Sequence, residues 1–334
     1  QIDPVVTSRF RIQVQHKVVT AGSCFAQHVA RALVVNGFNY FVAEAGHHLS
    51  AEERQTRNYG VFSARFGNVY TARQLRQLQD MALGLAPQPE NLVWQRADDR
   101  WIDGLRPYIE PDGFGCVSDA VDSRHEMLAS TSDMLQGCDV LVFTLGLTEG
   151  WQRLSDGVVV PIAPSVAAPS APMQEFGFAN FSVDEVLADM RAVRRTLKAV
   201  NHKVKVVLTV SPVPLMATFE NRSVVASTVY SKSVLRTVAG MLESEFNWVS
   251  YFASYEVITA GPNASRYFGP DRRSVTEEGV SHVMRLFMKH CAQQPNSAQV
   301  VEPPPAHVPL GAQDEVDRAT LAVGRLVCDE EHLD

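Results

Sequence analysis

The chain has 334 residues, 46% of them hydrophobic and 20% charged, which is enough for one large core or two smaller ones. Its net charge of −7, with no run of Lys and Arg interleaved with aromatics, argues against a nucleic-acid partner. No stretch approaches the roughly 18 uninterrupted apolar residues of a membrane helix, and the opening "QIDPVVTSRF" has no basic region followed by an apolar core, so the reading is a cytoplasmic chain with no membrane partner.

In chain order, "KVVTAG" (17–22) predicts a first buried strand. "CFAQHVARALVVNG" follows as a helix with one apolar face and a glycine stop at Gly37. "FNYFV" predicts a second strand. "TARQLRQLQDMALG" is an amphipathic helix through Leu75, Leu78 and Leu85, and "DSRHEMLASTSDMLQG" is another, ending at Gly137. "CDVLVFTLG" (138–146) is a continuous apolar run that predicts a buried strand. From Val158 to Phe181 the chain is rich in Pro, Ala and Ser, which predicts a surface loop. "SVDE" at Ser182 is a capping box that starts a helix running to about Val200. "KVKVVLTVSP" (203–212) and "NWVSYF" predict further strands, separated by the helix "SKSVLRTVAGMLESE". The last helix is "VTEEGVSHVMRLFMKHC". The expected architecture is a doubly wound α/β sheet of five mostly parallel strands in one domain over 1–292, with a Pro-rich extension over 293–334 that contains a short helix.

Five cysteines, widely and irregularly spaced, read as reduced thiols rather than a disulfide framework. With no CxxC and no HExxH, neither a structural zinc site nor a zincin active site is expected. The adjacent His47 and His48 read as a solvated loop, since neighbours on an extended chain point apart.

In such a sheet the ligand sits beyond the carboxyl ends of the strands, so three strand ends draw attention. Ser23 directly follows "VVTAG", where the helix behind it aims its free N–H groups at the serine oxygen. That suits a nucleophile, but a serine there also suits a plain N-cap. The adjacent Cys24 is a second candidate nucleophile, or a buried filler one step into the helix. In "TLGLTEGW", Thr148 and Glu149 bring a hydroxyl and a carboxylate to the same rim, or cap a turn and face water. In "FGPDRRSVTEEGVSHVM", Asp271 precedes a helix carrying His282, the acid and base that a serine nucleophile needs. His282 lies about two turns into that helix, where a histidine is as readily a packed residue.

The words "GSCFA" (22–26), "TLGLTEGW", "TVSPVPLMAT" (209–218), "YSKSVLR" (230–236) and "RRSVTEEGVSHVM" together resemble the GSCFA-domain family over roughly residues 5–292. That family is similar in turn to the SGNH or GDSL-like hydrolases. The resemblance implies a flavodoxin-like three-layer α/β/α fold and acyl-ester chemistry, often on carbohydrates, without a cofactor and usually without a metal. It implies Ser23 as nucleophile and Gly67, with Asn68 beside it, as the glycine block of the oxyanion hole. Thr148, after Gly146, stands where the wider group has an asparagine. The backbone N–H of Ser23 or Cys24 completes the set. The wider group's Asp-x-x-His reads Asp271-Arg272-Arg273-Ser274, with serine in place of the base. Ser274 also reads as part of a capping box, "SVTE", with Glu277.

Three accounts of the proton acceptor follow: His282 with Asp271 or Glu149, which is the favoured one; a loop histidine such as His47 or His48; or a site that has lost ordinary hydrolysis and binds or transfers without a histidine base, with Glu149 as the nearest base. The expected function is a serine-dependent esterase acting on O-acyl groups of a carbohydrate. The alternatives are an O-acetyltransferase on the same fold and a binding module that has lost the chemistry.

Overall fold

The structure, a computed structural model, describes residues 2–5 and 7–293. The chain enters through β1 (Val18–Gly22), turns into α1 (Phe25–Val35), and continues through α2 (Ala51–Thr56) and α3 (Ala72–Ala82). A hairpin, β2 (Val93–Gln95) and β3 (Trp101–Asp103), leads to α4 (Val117–Gly137) and β4 (Val140–Leu145). Next come β5 (Glu149–Arg153), β6 (Val159–Val160), α5 (Pro164–Ala167) and β7 (Phe176–Asn180). The second half is regular: α6 (Val183–Val200), β8 (Lys205–Val210), α7 (Val224–Glu245) and β9 (Val249–Phe252), then α8 (Ser254–Thr259), α9 (Ala264–Tyr267) and α10 (Glu277–Cys291).

The central sheet has four strands in the order β1-β4-β8-β9, all parallel. Side chains alternate between two cores, as the strand pleat requires. Leu141, Phe143, Leu145, Val206, Leu208 and Val210 face α3, α4, α6 and α7. Val140, Val142, Val207 and Phe252 face α1, α8 and α10 on the other side. The result is the expected α/β/α arrangement with helices on both faces.

The fifth strand is a correction. "FNYFV" reduces to one bridge, Val18 to Tyr40, with Val18 N–H donating to Asn39 O (2.9 Å) and Phe41 N–H donating to Val18 O (2.8 Å). The segment covers the outer edge of β1 and then leaves it. Leu85 also falls outside α3 and is 64% exposed, so the apolar face of that helix ends at Met81.

The Pro-, Ala- and Ser-rich stretch is not a surface loop. Val160, Ile162, Ala163, Ala167, Ala168 and Phe176 pack with Leu92, Trp94, Ile102 and Trp151 into a separate small core. Small residues let this segment lie close against two tryptophans, and Pro164 opens α5 at a first-turn position where its missing N–H costs nothing. β5 holds it together, pairing antiparallel with β6 on one side and β7 on the other. The capping box at Ser182 forms as expected, with Glu185 N–H donating to Ser182 Oγ and Glu185 Oε2 accepting from Ser182 N–H. No disulfide joins the four described cysteines. The extension over 293–334 and its short helix lie outside the described residues, apart from Gln293.

Candidate active site

β1 and β4 approach so closely at their ends that only glycine fits at position 22: a Cβ there would stand 2.3 Å from Thr144 O, and φ is +134°. The ladder runs one residue further, with Ser23 N–H donating to Thr144 O at 3.2 Å, before the chain turns into α1. The N-cap of α1 is Cys24, in helical conformation and with no side-chain cap, so Ser23 does not cap the helix. Ser23 is 4% exposed, and its buried Oγ has no hydrogen-bond partner among the described residues. A buried hydroxyl left in that state costs about 1–3 kcal/mol, a penalty that a bound ligand could relieve. Cys24 is buried beside it.

The expected oxyanion donor from Ser23 is a correction, because its N–H already belongs to the β1–β4 ladder. The loop over residues 62–71 is bonded to the end of β1. Residues 62–71 are all buried yet form neither helix nor strand, so their backbone groups need partners from elsewhere. Val69 N–H donates to Gly22 O (2.8 Å) and Tyr70 N–H to Gln74 Oε1 (3.1 Å). Arg65 N–H donates to Glu44 Oε2 (2.7 Å), while Arg65 O accepts from Arg106 Nη1 (2.9 Å). Arg106 and Arg124 converge in turn on buried Asp103, at 2.9 and 2.7 Å. The two guanidiniums hold the Asp103 carboxyl below its ordinary range against the opposing effect of burial, whereas burial pushes Glu44 up.

Within this loop Gly67 has φ +73° and turns against Arg106, whose Cβ would lie 3.2 Å from an added methyl. Asn68 is 2% exposed, and its Oδ1 accepts from Gln27 Nε2 of α1 at 3.4 Å.

The end of β4 meets Ser23 directly. An added Cβ on Gly146 would stand 3.1 Å from Ser23 Cβ and 3.1 Å from Tyr70 O. Gly146 N–H and Leu147 N–H both donate to Tyr70 O, at 3.1 and 3.0 Å. Thr148 is a second correction: its hydroxyl donates to Asn180 Oδ1 at 2.7 Å, so its single proton is not aimed at a substrate oxygen. Glu149 is 7% exposed, and Oε1 accepts from Thr218 Oγ1 at 2.9 Å. Burial pushes its carboxyl above the ordinary range; the Thr218 hydrogen bond opposes this and the nearby Glu220 adds to it.

The structure does not bring the 268–282 segment to this rim by any hydrogen bond to Ser23. Asp271 is exposed and serves its own turn, accepting from Arg273 N–H (3.1 Å), Ser274 N–H (3.0 Å) and Ser274 Oγ. The Ser274 hydroxyl, the largest cause, and the backbone donors hold its carboxyl low. The capping box expected at Ser274 is not formed; Thr276 is the N-cap of α10 and accepts from Gly279 N–H. His282 is buried on α10, with Nδ1 hydrogen-bonded to Tyr267 OH at 2.9 Å and its pKa lowered by burial first and Arg285 second. Its hydrogen-bond partner is thus Tyr267, not Asp271 or Glu149. His48 meets the Tyr59 ring edge-on at 6.3 Å, on the loop before α2.

Two features escaped the sequence reading. Lys232, within "YSKSVLR", is 1% exposed and donates from Nζ to Gly146 O at 2.7 Å; its neighbour Ser231 accepts from Thr148 N–H at 3.0 Å. A polar pair set in a helix otherwise packed on the sheet was the available signal. The second is Phe219, 57% exposed, which lies 4.7 Å from the Trp151 ring at 82° and beside Phe178. Trp151 itself is 9% exposed.

No curated protein matches the chain. A solved carbohydrate esterase of family 3 from Talaromyces cellulolyticus is 14% identical, matches over 65% of this chain and 87% of its own, and superposes with a TM-score of 0.27. At that level of likeness the architecture rests on this chain's own strand order. The GSCFA family pattern matches residues 17–287, four-fifths of the sequence. The chain belongs to the GSCFA family.

Proposed function

We propose that this protein is a serine-dependent acyl-ester enzyme acting on O-acyl groups of a carbohydrate, with Ser23 as nucleophile. The observation that carries the reading is the Ser23 hydroxyl: buried, without a hydrogen-bond partner among the described residues, at the end of the first strand and the start of α1. Its Oγ adds to the ester carbonyl, forming the Oγ–C bond and passing its proton to a base. Glu149 is the base this reading favours, since it stands three residues beyond Gly146 and burial raises its affinity for a proton. The oxyanion is held by N–H groups at the start of α1, with Asn68 beside them, each preorganised donor being worth about 3 kcal/mol. The C–O bond to the sugar breaks, and the leaving oxygen takes the proton back from Glu149. Water then adds to the acyl-serine with its proton going to Glu149, releasing the acid and restoring both groups. A sugar hydroxyl in place of that water makes the same site an O-acyltransferase.

One observation favours a second reading, a carbohydrate-binding module without chemistry: no described histidine is hydrogen-bonded to Ser23. Hydrolysis of p-nitrophenyl acetate and release of acetate from an acetylated oligosaccharide, each compared with Ser23→Ala, separate the two. The enzyme reading expects the variant to lose at least about 10³-fold in kcat. Equal rates for both proteins leave the binding module standing.

A further inference from the structure

All six lysines of the chain fall within the described residues, and five of them are exposed or half-buried; Lys232 alone is buried. An ammonium removed from water is costly unless the protein supplies partners of good geometry, so its placement calls for a reason. Its Nζ sits on the carbonyl of Gly146 at 2.7 Å. The Cα of that residue faces Ser23, closely enough that one added methyl would come within 3.1 Å of Ser23 Cβ. The 146–148 segment is also fixed from two other sides, by Tyr70 O and by Ser231 Oγ. The Lys232 amine is therefore bound to the peptide that packs against the candidate nucleophile, in a region closed to solvent.

We propose that Lys232 is a positioning residue for Ser23. It fixes the Gly146 peptide against the serine, and its charge favours the negative charge that develops on the serine and carbonyl oxygens during attack. The interaction needs no direct contact, because charge acts over several ångströms where the effective dielectric is low. This inference rests on Ser23 being the nucleophile and goes beyond it by assigning the source of the serine's reactivity.

The test follows the rate at which a fluorophosphonate labels Ser23 in the full chain, across pH 5–9, together with thermal melting. Lys232→Met keeps the stem and removes the charge. The expected result is a cooperative melt, labelling slower by on the order of tenfold or more, and a labelling midpoint moved to higher pH. That sign follows because removing a positive charge makes a nearby acid harder to ionise. Lys232→Arg, which restores the charge, is expected to recover part of the rate and of the midpoint. A folded Lys232→Met that labels at the wild-type rate with the wild-type midpoint overturns the proposal. If Lys232→Met does not fold, the wild-type protein decides the matter through 15N-lysine NMR. The buried ammonium signal moves when a boronic acid forms an anionic adduct at Ser23, and an unmoved signal overturns the proposal. Undiminished labelling of Ser23→Ala would instead sink the serine reading, which keeps the two failures apart.

Discussion

Ser23 and Ser274 both lie just ahead of a helix, and their hydroxyls have opposite fates. The Ser274 hydroxyl is exposed and donates to Asp271, closing a local turn whose other bonds come from backbone N–H groups within three residues. The Ser23 hydroxyl is buried and meets no partner among the described residues, although the backbone around it is tied down: Gly22 to Val69, Gly146 to Tyr70 and Lys232, and Arg65 to Glu44 and Arg106. One serine completes a local turn; the other keeps its hydroxyl unused within a tightly bonded backbone. Chemical competence follows from that difference in environment, since both residues have the same side chain.

The largest effect expected from this contrast is on stability. Arg106→Met leaves Asp103 and the Arg65 carbonyl short of a buried partner, and should cost about 3–5 kcal/mol in urea unfolding. A loss below about 1 kcal/mol would show that the 62–71 loop does not depend on buried charge. Next comes Glu149→Gln, expected to lower kcat about 10²-fold. Wild-type activity should fall as pH drops through a value above the ordinary carboxylate range, because burial raises this pKa and the base must be ionised. The glutamine variant should lack that acidic limb, and a retained limb would assign it to another group.

On the other side of the contrast the effects shrink. Tyr267→Phe removes the partner of His282 Nδ1 and should cost about 1 kcal/mol while leaving hydrolysis within twofold. A hundredfold loss of kcat would return His282 to the mechanism. Asp271→Ala should cost less than about 1 kcal/mol, as for other exposed turn contacts, again with hydrolysis unchanged.

A pH trend on α1 stands apart from these substitutions. His28 on α1, in edge contact with Phe25, is held down to about 4 by burial and then by Arg31, so it stays neutral in the fold and charges at 6.5 once unfolded. Its contribution to stability is whole above 6.5 and is lost as pH falls from there toward 4. His28→Gln should flatten the melting temperature over that interval. An unchanged slope would place the loss on other groups.

Much of the scaffold was legible because local rules decide it. The run "CDVLVFTLG" is apolar on both faces, as a strand buried between two helical layers must be, and Ser182 with Glu185 announces α6 by reciprocal hydrogen bonds. "GSCFA" marked a strand turning into a helix, and the structure makes that turn at Ser23. What was not legible depends on distant partners. "FNYFV" has strand-like composition, but the chain departs from β1 after one bridge. The alanines of 163–171 carry no periodicity to mark them as core, yet they fill the space beside Trp94 and Trp151. Arg65, Arg106 and Lys232 would be placed on the surface by composition, and they are buried because an irregular loop and a strand end need donors. The site was therefore readable at its nucleophile and opaque in its support.

The most direct test of the central claim is where a covalent adduct forms. After treatment with a fluorophosphonate and digestion, mass spectrometry of the peptide spanning Ser23 and Cys24 should find one adduct, on Ser23, absent from Ser23→Ala and retained in Cys24→Ala. An adduct on Cys24, or a peptide that stays unmodified while another serine is labelled, would contradict the assignment of Ser23 as nucleophile.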